Sequence, residues 1–212
     1  MTCEHCQDAD KTFSSDLANR ELKDYRAHGP GKTTRLLIEA LKAAGIDGLT
    51  LLDIGGGVGV IQHELFQAGA SSAVAVDASS GYLQAAEQEA ERQGYAEHVR
   101  YRHGDFVDLA PQLQQAGIVT LDKVICCYPD MRALVSLSSA HAEKLYGVVF
   151  PRDTWWLKLG LGFVNRMQWL RRSSFRVFVH STEAIEAVVR EQGLARRYYR
   201  QTILWQVILY AR

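Results

Sequence analysis

The sequence predicts an α/β domain built on one mostly parallel sheet that an antiparallel terminal strand closes. Three observations carry this expectation. From Leu49 onward, short apolar runs alternate with helical stretches, the pattern of successive β-α-β units. The first of those runs, "LTLLDI", is apolar at nearly every position, as a strand covered on both faces must be. The last two β-rich runs, 195–203 and 205–211, are joined too tightly to hold a crossover helix, so they should pair antiparallel.

The elements follow in order. Residues 1 to 15 are polar and read as a loosely ordered terminus. "DLANRELKDYRAHG" reads as a helix with an apolar stripe of Leu17, Leu22 and Tyr25, stopped by Gly29 and Pro30. "KTTRLLIEALKAAG" reads as a second helix, with Leu36, Leu37, Ala40, Leu41 and Ala44 at helical spacing and Gly45 as its stop. Together they make an N-terminal helical cap within residues 1–45. Strand "LTLLDI", helix "VGVIQHELFQAG", strand "SSAVAVD" and helix "SGYLQAAEQEAERQG" come next. Then follow strand "VRYRHGD", a short helix or loop "LAPQLQQAG", strand "LDKVICCYP", helix "MRALVSLSSAHAEKL" and strand "YGVVFP". Residues 152–176 break the alternation with an insert rich in Trp, Leu, Phe and Arg. "HSTEAIEAVVREQG" restores a helix, with Ser181 or Thr182 as its cap and Gly193 as its stop.

The bulk properties fit one domain over residues 1–212. With formal net charge zero, a general polyanion-binding surface is not expected, and nucleic acid is not the expected partner. The polar N-terminus shows no secretory signal. The apolar stretch "WWLKLGLGFVNRMQWL" carries Lys158 and Arg166 and is too short to span a bilayer, so a cytoplasmic location is expected. Cys3 and Cys6 form C-x-x-C, but a structural zinc site needs four ligands and no second pair stands at zinc-finger spacing. No metal site is expected.

Two glycine-rich stretches compete as a ligand loop. "GPGKTT" resembles the end of a phosphate loop, yet the position five residues before Gly31 is Arg26, and the segment ahead of it is helical. It reads as a turn between two helices. "LLDIGGGVG" has the right context of strand, turn and helix. Its glycines remove side chains where the backbone must bend and approach a ligand, at the carboxyl end of the strand. The dinucleotide pattern G-x-G-x-x-G fails, because its third glycine would fall on Ile61 or Gln62. D-x-G-x-G-x-G fits without a gap, from Asp53 through Gly55 and Gly57 to Gly59.

With that motif, with Asp77 at the end of the second strand, and with Gly104-Asp105-Phe106 after the third, the chain resembles the class I S-adenosylmethionine-dependent methyltransferases from about Leu49 onward. The resemblance implies a Rossmann-like sheet and S-adenosyl-L-methionine as cofactor. Asp77 would take the ribose hydroxyls, since a carboxylate accepts from a vicinal diol in bidentate fashion. Asp105 would accept from the adenine amine, and Ala78 and Phe106 would supply apolar faces to the ring. Asp53 would act near the cationic end of the cofactor's amino acid, and Cys126 joins the cofactor-binding set. Within the family the order of parts looks most like the magnesium-protoporphyrin O-methyltransferase branch.

The resemblance also places the fourth strand beside the transferred methyl. "CYPD", 127–130, departs from the [DNS]-P-P-[YFW] motif of nucleic-acid base methyltransferases. That points to a small-molecule acceptor, with Tyr128, Asp130 and Tyr25 as catalytic candidates. Packing is the plainer role for Cys126 and Cys127. Tyr25 and His28 could face the site but suit packing or surface better than catalysis, and His63 is expected to be exposed. The insert carries six basic residues against one acid, with Trp155, Trp156, Phe163 and Trp169. It reads as an inserted helical lid over a carboxylate-bearing or aromatic acceptor, as a buried helix, as a dimer face, or as an interfacial helix in contact with a membrane surface. The alternative to an enzyme is a non-catalytic adenosyl-cofactor-binding protein or partner subunit.

Overall fold

The computed structural model describes residues 14–170 and 176–212. Cys3, Cys6, Arg171 and Arg172 lie outside the described residues, as does the side chain of Trp169. Seven strands form one sheet in the order β3-β2-β1-β4-β5-β7-β6. They are β1 (Thr50–Ile54), β2 (Ser72–Asp77), β3 (Val99–His103), β4 (Ala116–Asp122), β5 (Ala142–Pro151), β6 (Ala195–Gln201) and β7 (Trp205–Ala211). The first five pair parallel, and β7 enters antiparallel between β5 and β6. The expected α/β sheet with an antiparallel end is present. The order reverses between β1 and β4, and that switch point opens a crevice at the carboxyl ends of the strands.

Helices cover both faces. On one side, α2 (Lys32–Ala43), α3 (Val60–Phe66) and α4 (Ser80–Gln93) bury Leu37, Leu41, Ile61, Leu65 and Leu83 against the sheet. On the other, α5 (Phe106–Leu109), α6 (Met131–Ala140) and α8 (Thr182–Glu191) bury Phe106, Leu134, Val135, Ile185 and Val189. The central strands are covered on both faces, which is why they read as unbroken apolar runs. Ser181 caps α8 by accepting from Ala184 N. The fourth strand is the element that departs from expectation. It spans Ala116–Asp122, and "VICCY" is not part of it. Lys123 adopts φ 64, a left-handed conformation that ends extended pairing, and Ile125–Cys127 form a 3₁₀ turn.

α1 (Ser15–His28) is an outlying layer. It buries Ala18 and Leu22 against Val58, Tyr82 and Ala85 rather than against the sheet. A buried carboxylate fastens it. Glu89 on α4 accepts from Arg26 of α1 at 2.8 Å, from Arg92 at 2.5 and 2.9 Å, and from Gln93 at 2.7 Å. Burial alone would raise the Glu89 pKa, but the bonds from Arg92, Gln93 and Arg26 hold it down at about 2. α7 (Trp155–Leu170) is the inserted helix, and most of its surface is exposed. It is therefore not a buried helix.

Replacing Glu89 by Ala leaves two guanidinium groups without their shared acceptor and frees α1. We expect a loss of about 2 kcal/mol in urea unfolding. Because the folded pKa is depressed, this contribution is present above the ordinary glutamate value and fades as pH falls toward about 2. The wild-type advantage over Glu89→Ala should therefore shrink between about pH 4.5 and pH 2.

Candidate active site

The crevice at the switch point is a cavity of about 360 Å³, a size that suits a small ligand. Its floor is Gly55, Gly56 and Gly57, its far wall is Asp77, Ala78, Asp105 and Phe106, and its near wall is Asp122, Lys123, Cys127 and Tyr128. Thr34 from α2 and Glu21 and Tyr82 from α1 and α4 complete it. The α1 cap thus reaches the rim, as expected of the N-terminal helices. None of the described residues of 152–176 lines the cavity.

The bend after β1 is set from beneath by Asp53. This carboxylate is fully buried. It accepts from Thr120 Oγ1 on β4 at 2.7 Å and from Gln62 Nε2 on α3 at 3.0 Å. Burial raises its pKa to about 6 against those two bonds. Asp53 does not line the cavity, and its two bonds hold the loop from beneath. Above it, Gly55 sits at φ 62, and a side chain there would meet Val124 at 2.4 Å. A Cβ on Gly56 would stand 2.3 Å from Asp53 Oδ2. Gly59, at φ 79, is the N-cap of α3. It also lies off the cavity and shapes the helix entry.

Asp77 is the acid that does face the cavity. Oδ1 accepts from Ser79 N at 2.8 Å and Oδ2 from Gly57 N at 3.2 Å, so the carboxylate ties the second strand to the glycine bend. Burial raises its pKa to about 6. Each oxygen retains an acceptor site after these bonds. Asp105 caps α5 by accepting from Val107 N at 2.9 Å. It also receives the Tyr128 hydroxyl at 2.9 and 3.0 Å. Tyr128 in turn accepts at its carbonyl from His180 at 3.2 Å. The lip of the cavity is thereby pinned to the adenine-side wall that the motif reading proposes.

The other expected positions separate. Tyr25 lies off the cavity: its ring stacks on His63 at 6.1 Å, and its hydroxyl, raised to about 12 chiefly by burial, points to Glu64. Asp130 is exposed and caps α6 through Ala133 N at 3.0 Å, outside the cavity lining. Cys126 is buried, and its thiol donates to Lys123 O at 3.2 Å, so it packs the turn while Cys127 faces the cavity. His63 is buried, not exposed, with its pKa lowered by burial. It fills the space behind Gly59. His28 is exposed and pairs with Asp24.

Two residues escaped the sequence reading. Asp122 ends β4 at the cavity and accepts from Thr34 Oγ1 at 2.5 Å, and Lys123 Nζ lies 3.6 Å from its other oxygen. Placing the strand five residues too late hid both. The signal available was a fourth aspartate closing an apolar run, as Asp53 and Asp77 do.

Residues 51–142 match a family model described as a methyltransferase domain. An 86-residue stretch is 33% identical to the ribosomal protein L11 methyltransferase of Photorhabdus laumondii subsp. laumondii. That stretch covers 40% of this chain and spans 29% of that protein's length. Among solved structures, magnesium protoporphyrin IX methyltransferase from Synechocystis PCC 6803, with S-adenosylhomocysteine bound, superposes with a TM-score of 0.73 at 20% identity, covering 99% of this chain and 100% of that one. An O-methyltransferase family protein from Burkholderia thailandensis gives 0.72 at 16% identity, over 97% of this chain and 61% of that one. At these identities the likeness speaks to fold. The fold is that of these methyltransferase structures, and the methyltransferase-domain match lies on the part of the chain that builds the floor and far wall of the cavity. The match spans 51–142, and this chain covers under a third of the length of the curated relative.

The support of the loop is open to test. Gly56→Ala should cost about 2 kcal/mol in thermal unfolding, because the buried Asp53 cannot give way. Gly31→Ala, where nothing lies within 4 Å of the added carbon, should stay within about 0.5 kcal/mol of wild type.

Proposed function

We propose that the chain transfers a methyl group from S-adenosylmethionine to a small acceptor that presents a carboxylate on a flat apolar body. The observation that carries this reading is the division of one cavity into two chemically distinct ends. Gly55–Gly57, Asp77 and Asp105 make one end, and Asp122, Lys123 and Cys127 the other.

The cofactor end fits the group. Asp77, already anchored by two backbone N–H groups, keeps acceptor capacity for a ribose diol. Bare backbone at Gly55–Gly57 permits close approach. Ala78 and Phe106 offer apolar surface to a ring, and Asp105 offers an acceptor to its amine. Asp77 and Asp122 put negative charge around a cationic sulfonium. When bound, the cofactor supplies an activated methyl that leaves as its sulfur becomes a thioether. The chain's part is to align the acceptor in line with that bond.

At the acceptor end Lys123 offers a cation to an anionic group, beside the Asp122 carboxylate that Thr34 and Lys123 engage. The Lys123 ammonium lies 5.8 Å from the Trp205 ring centroid and lines the cavity. A carboxylate is ionised at neutral pH and attacks without a general base. That agrees with the commitments of the candidate bases: Tyr128 donates to Asp105, and Asp130 caps α6. Magnesium protoporphyrin IX, named for the similar Synechocystis enzyme, has the flat carboxylate-bearing chemistry to be tried first. Formation of S-adenosylhomocysteine together with a base-labile methyl ester tests the proposal. Turnover of an amide analogue as fast as of the acid would sink the carboxylate assignment, and cofactor binding with no turnover on any acceptor would leave a binding protein.

Two measurements test the parts. Asp77→Ala should weaken cofactor binding by roughly tenfold to a hundredfold in calorimetry. In wild type, the ionised Asp77 is the form that accepts from the ribose. Its pKa in the free protein is raised to about 6, so affinity should be flat above about pH 7 and fall as pH drops below about 6. The slope should vanish in Asp77→Asn, and a slope that persists there assigns it to another group. Lys123→Ala should raise KM for an acidic acceptor by about tenfold while leaving cofactor affinity unchanged.

A further inference from the structure

The inserted helix α7 is built inside out. Its less exposed stripe is Leu157, Leu161, Asn165 and Gln168, half of it polar. Asn165 is spent on a clasp, donating to Val177 O at 2.7 Å and accepting from Val177 N at 2.9 Å. The larger apolar side chains point away from the protein: Trp155 is 74% exposed, Leu159 67% and Phe163 67%, with Trp156, Val164 and Met167 also on the surface. A helix that only packs on its own domain turns its apolar stripe inward, and a contiguous exposed apolar face calls for an occupant.

The surroundings choose that occupant. Arg152, at the foot of α7, donates from its backbone to Leu204 O at 2.9 Å, so the exposed tip of the β6–β7 hairpin, Ile203 and Leu204, adjoins the helix. Apolar bulk is thus joined by two protrusions rather than one. The cations are sorted to the same part of the chain. Residues 152–212 hold eleven Lys and Arg against four Asp and Glu, whereas residues 1–151 hold thirteen against twenty. On the helix itself Arg166 is exposed, and Lys158 pairs with Asp153 at 2.6 Å. A symmetric contact with a second copy through this face would bring the exposed Arg166 of one copy into the same patch as Arg166 of the other. An anionic bilayer instead supplies the missing negative charge and takes Trp, Phe and Leu at its interface.

We infer that the outer face of α7, with the β6–β7 tip beside it, docks the protein on an anionic membrane surface. No described helix is long and apolar enough to cross a bilayer, so the contact is one of surface attachment. The inference stands apart from the identity of the methyl acceptor.

The test is sedimentation of the full chain with phosphatidylcholine vesicles and with mixed phosphatidylcholine–phosphatidylglycerol vesicles. Binding is expected to the mixed vesicles alone and to weaken as salt is raised. The double variant Leu159→Asp, Phe163→Asp should bind at least roughly tenfold more weakly. Its thermal midpoint should hold, since both side chains are exposed. As a measurement that does not rely on that variant folding, brominated lipid should quench the tryptophan emission of wild type, and Trp155→Phe with Trp156→Phe should remove most of the quenching. Failure of wild type to bind the mixed vesicles overturns the inference, as does equal binding by the double variant. Concentration-dependent self-association that the same variant abolishes would give the face to a second copy and overturn it too.

Discussion

The glycine bend that floors the cavity rests on one buried carboxylate. Asp53 is taken completely out of water and compensated by two hydrogen bonds, from Thr120 and Gln62. Burial raises its pKa to about 6, against the two bonds that favour the ionised form. A fold seeking stability alone would place an apolar residue there. What the carboxylate does instead is join β1, β4 and α3 at a single point beneath the glycine bend. Its Oδ2 occupies the space a side chain on Gly56 would need, so the bend and its support are fitted to one another.

Four aspartates stand at or near the ends of four strands, and surroundings alone separate their work. Asp53 points inward and holds the loop. Asp77 spans Gly57 and Ser79 and faces the cavity. Asp105 caps α5 and receives Tyr128. Asp122 is gripped by Thr34 from α2 and flanked by Lys123. The same side chain is a support, a tie between strand and bend, a cap and a wall, according to which donors reach it and how deeply it is buried. This is also how "GPGKTT" enters the site: it is the start of α2 and brings Thr34 to Asp122, without serving as a phosphate loop.

Much of this was legible in the sequence, and the failures have physical causes. The alternation of apolar runs and helical stretches gave the sheet and its antiparallel end, because covered parallel strands cannot hide their hydrophobicity. The glycine motif and Asp77 were readable because backbone geometry and strand ends constrain residue type tightly. β4 was misplaced because "AGIVTLD" and "DKVICCYP" are equally apolar, and only the left-handed Lys123 separates strand from turn. That single error turned attention to Cys126 and Asp130 and away from Asp122 and Lys123. The burial of His63 has another cause: α1 folds back over α4 and brings Tyr25 onto the His63 ring, a long-range contact with no local signature.

The formal neutrality of the chain conceals its main electrostatic feature. Acid is concentrated in the first 151 residues, where carboxylates end the strands around the cavity, and base in the remainder, where α7 and the β6–β7 hairpin lie. These are not two halves of one cancelling field, since screening confines each to about a nanometre in physiological salt. The cavity above the glycine bend is walled by the carboxylates of Asp77, Asp105 and Asp122. On α7, Arg166 stands exposed among the apolar side chains. Lys123 stands where the two regimes touch, bonded in sequence to Asp122 and lying over Trp205 of β7. For the anionic acceptor proposed above, that boundary is the natural place, and Lys123, more than the insert beyond it, is the residue that would hold it.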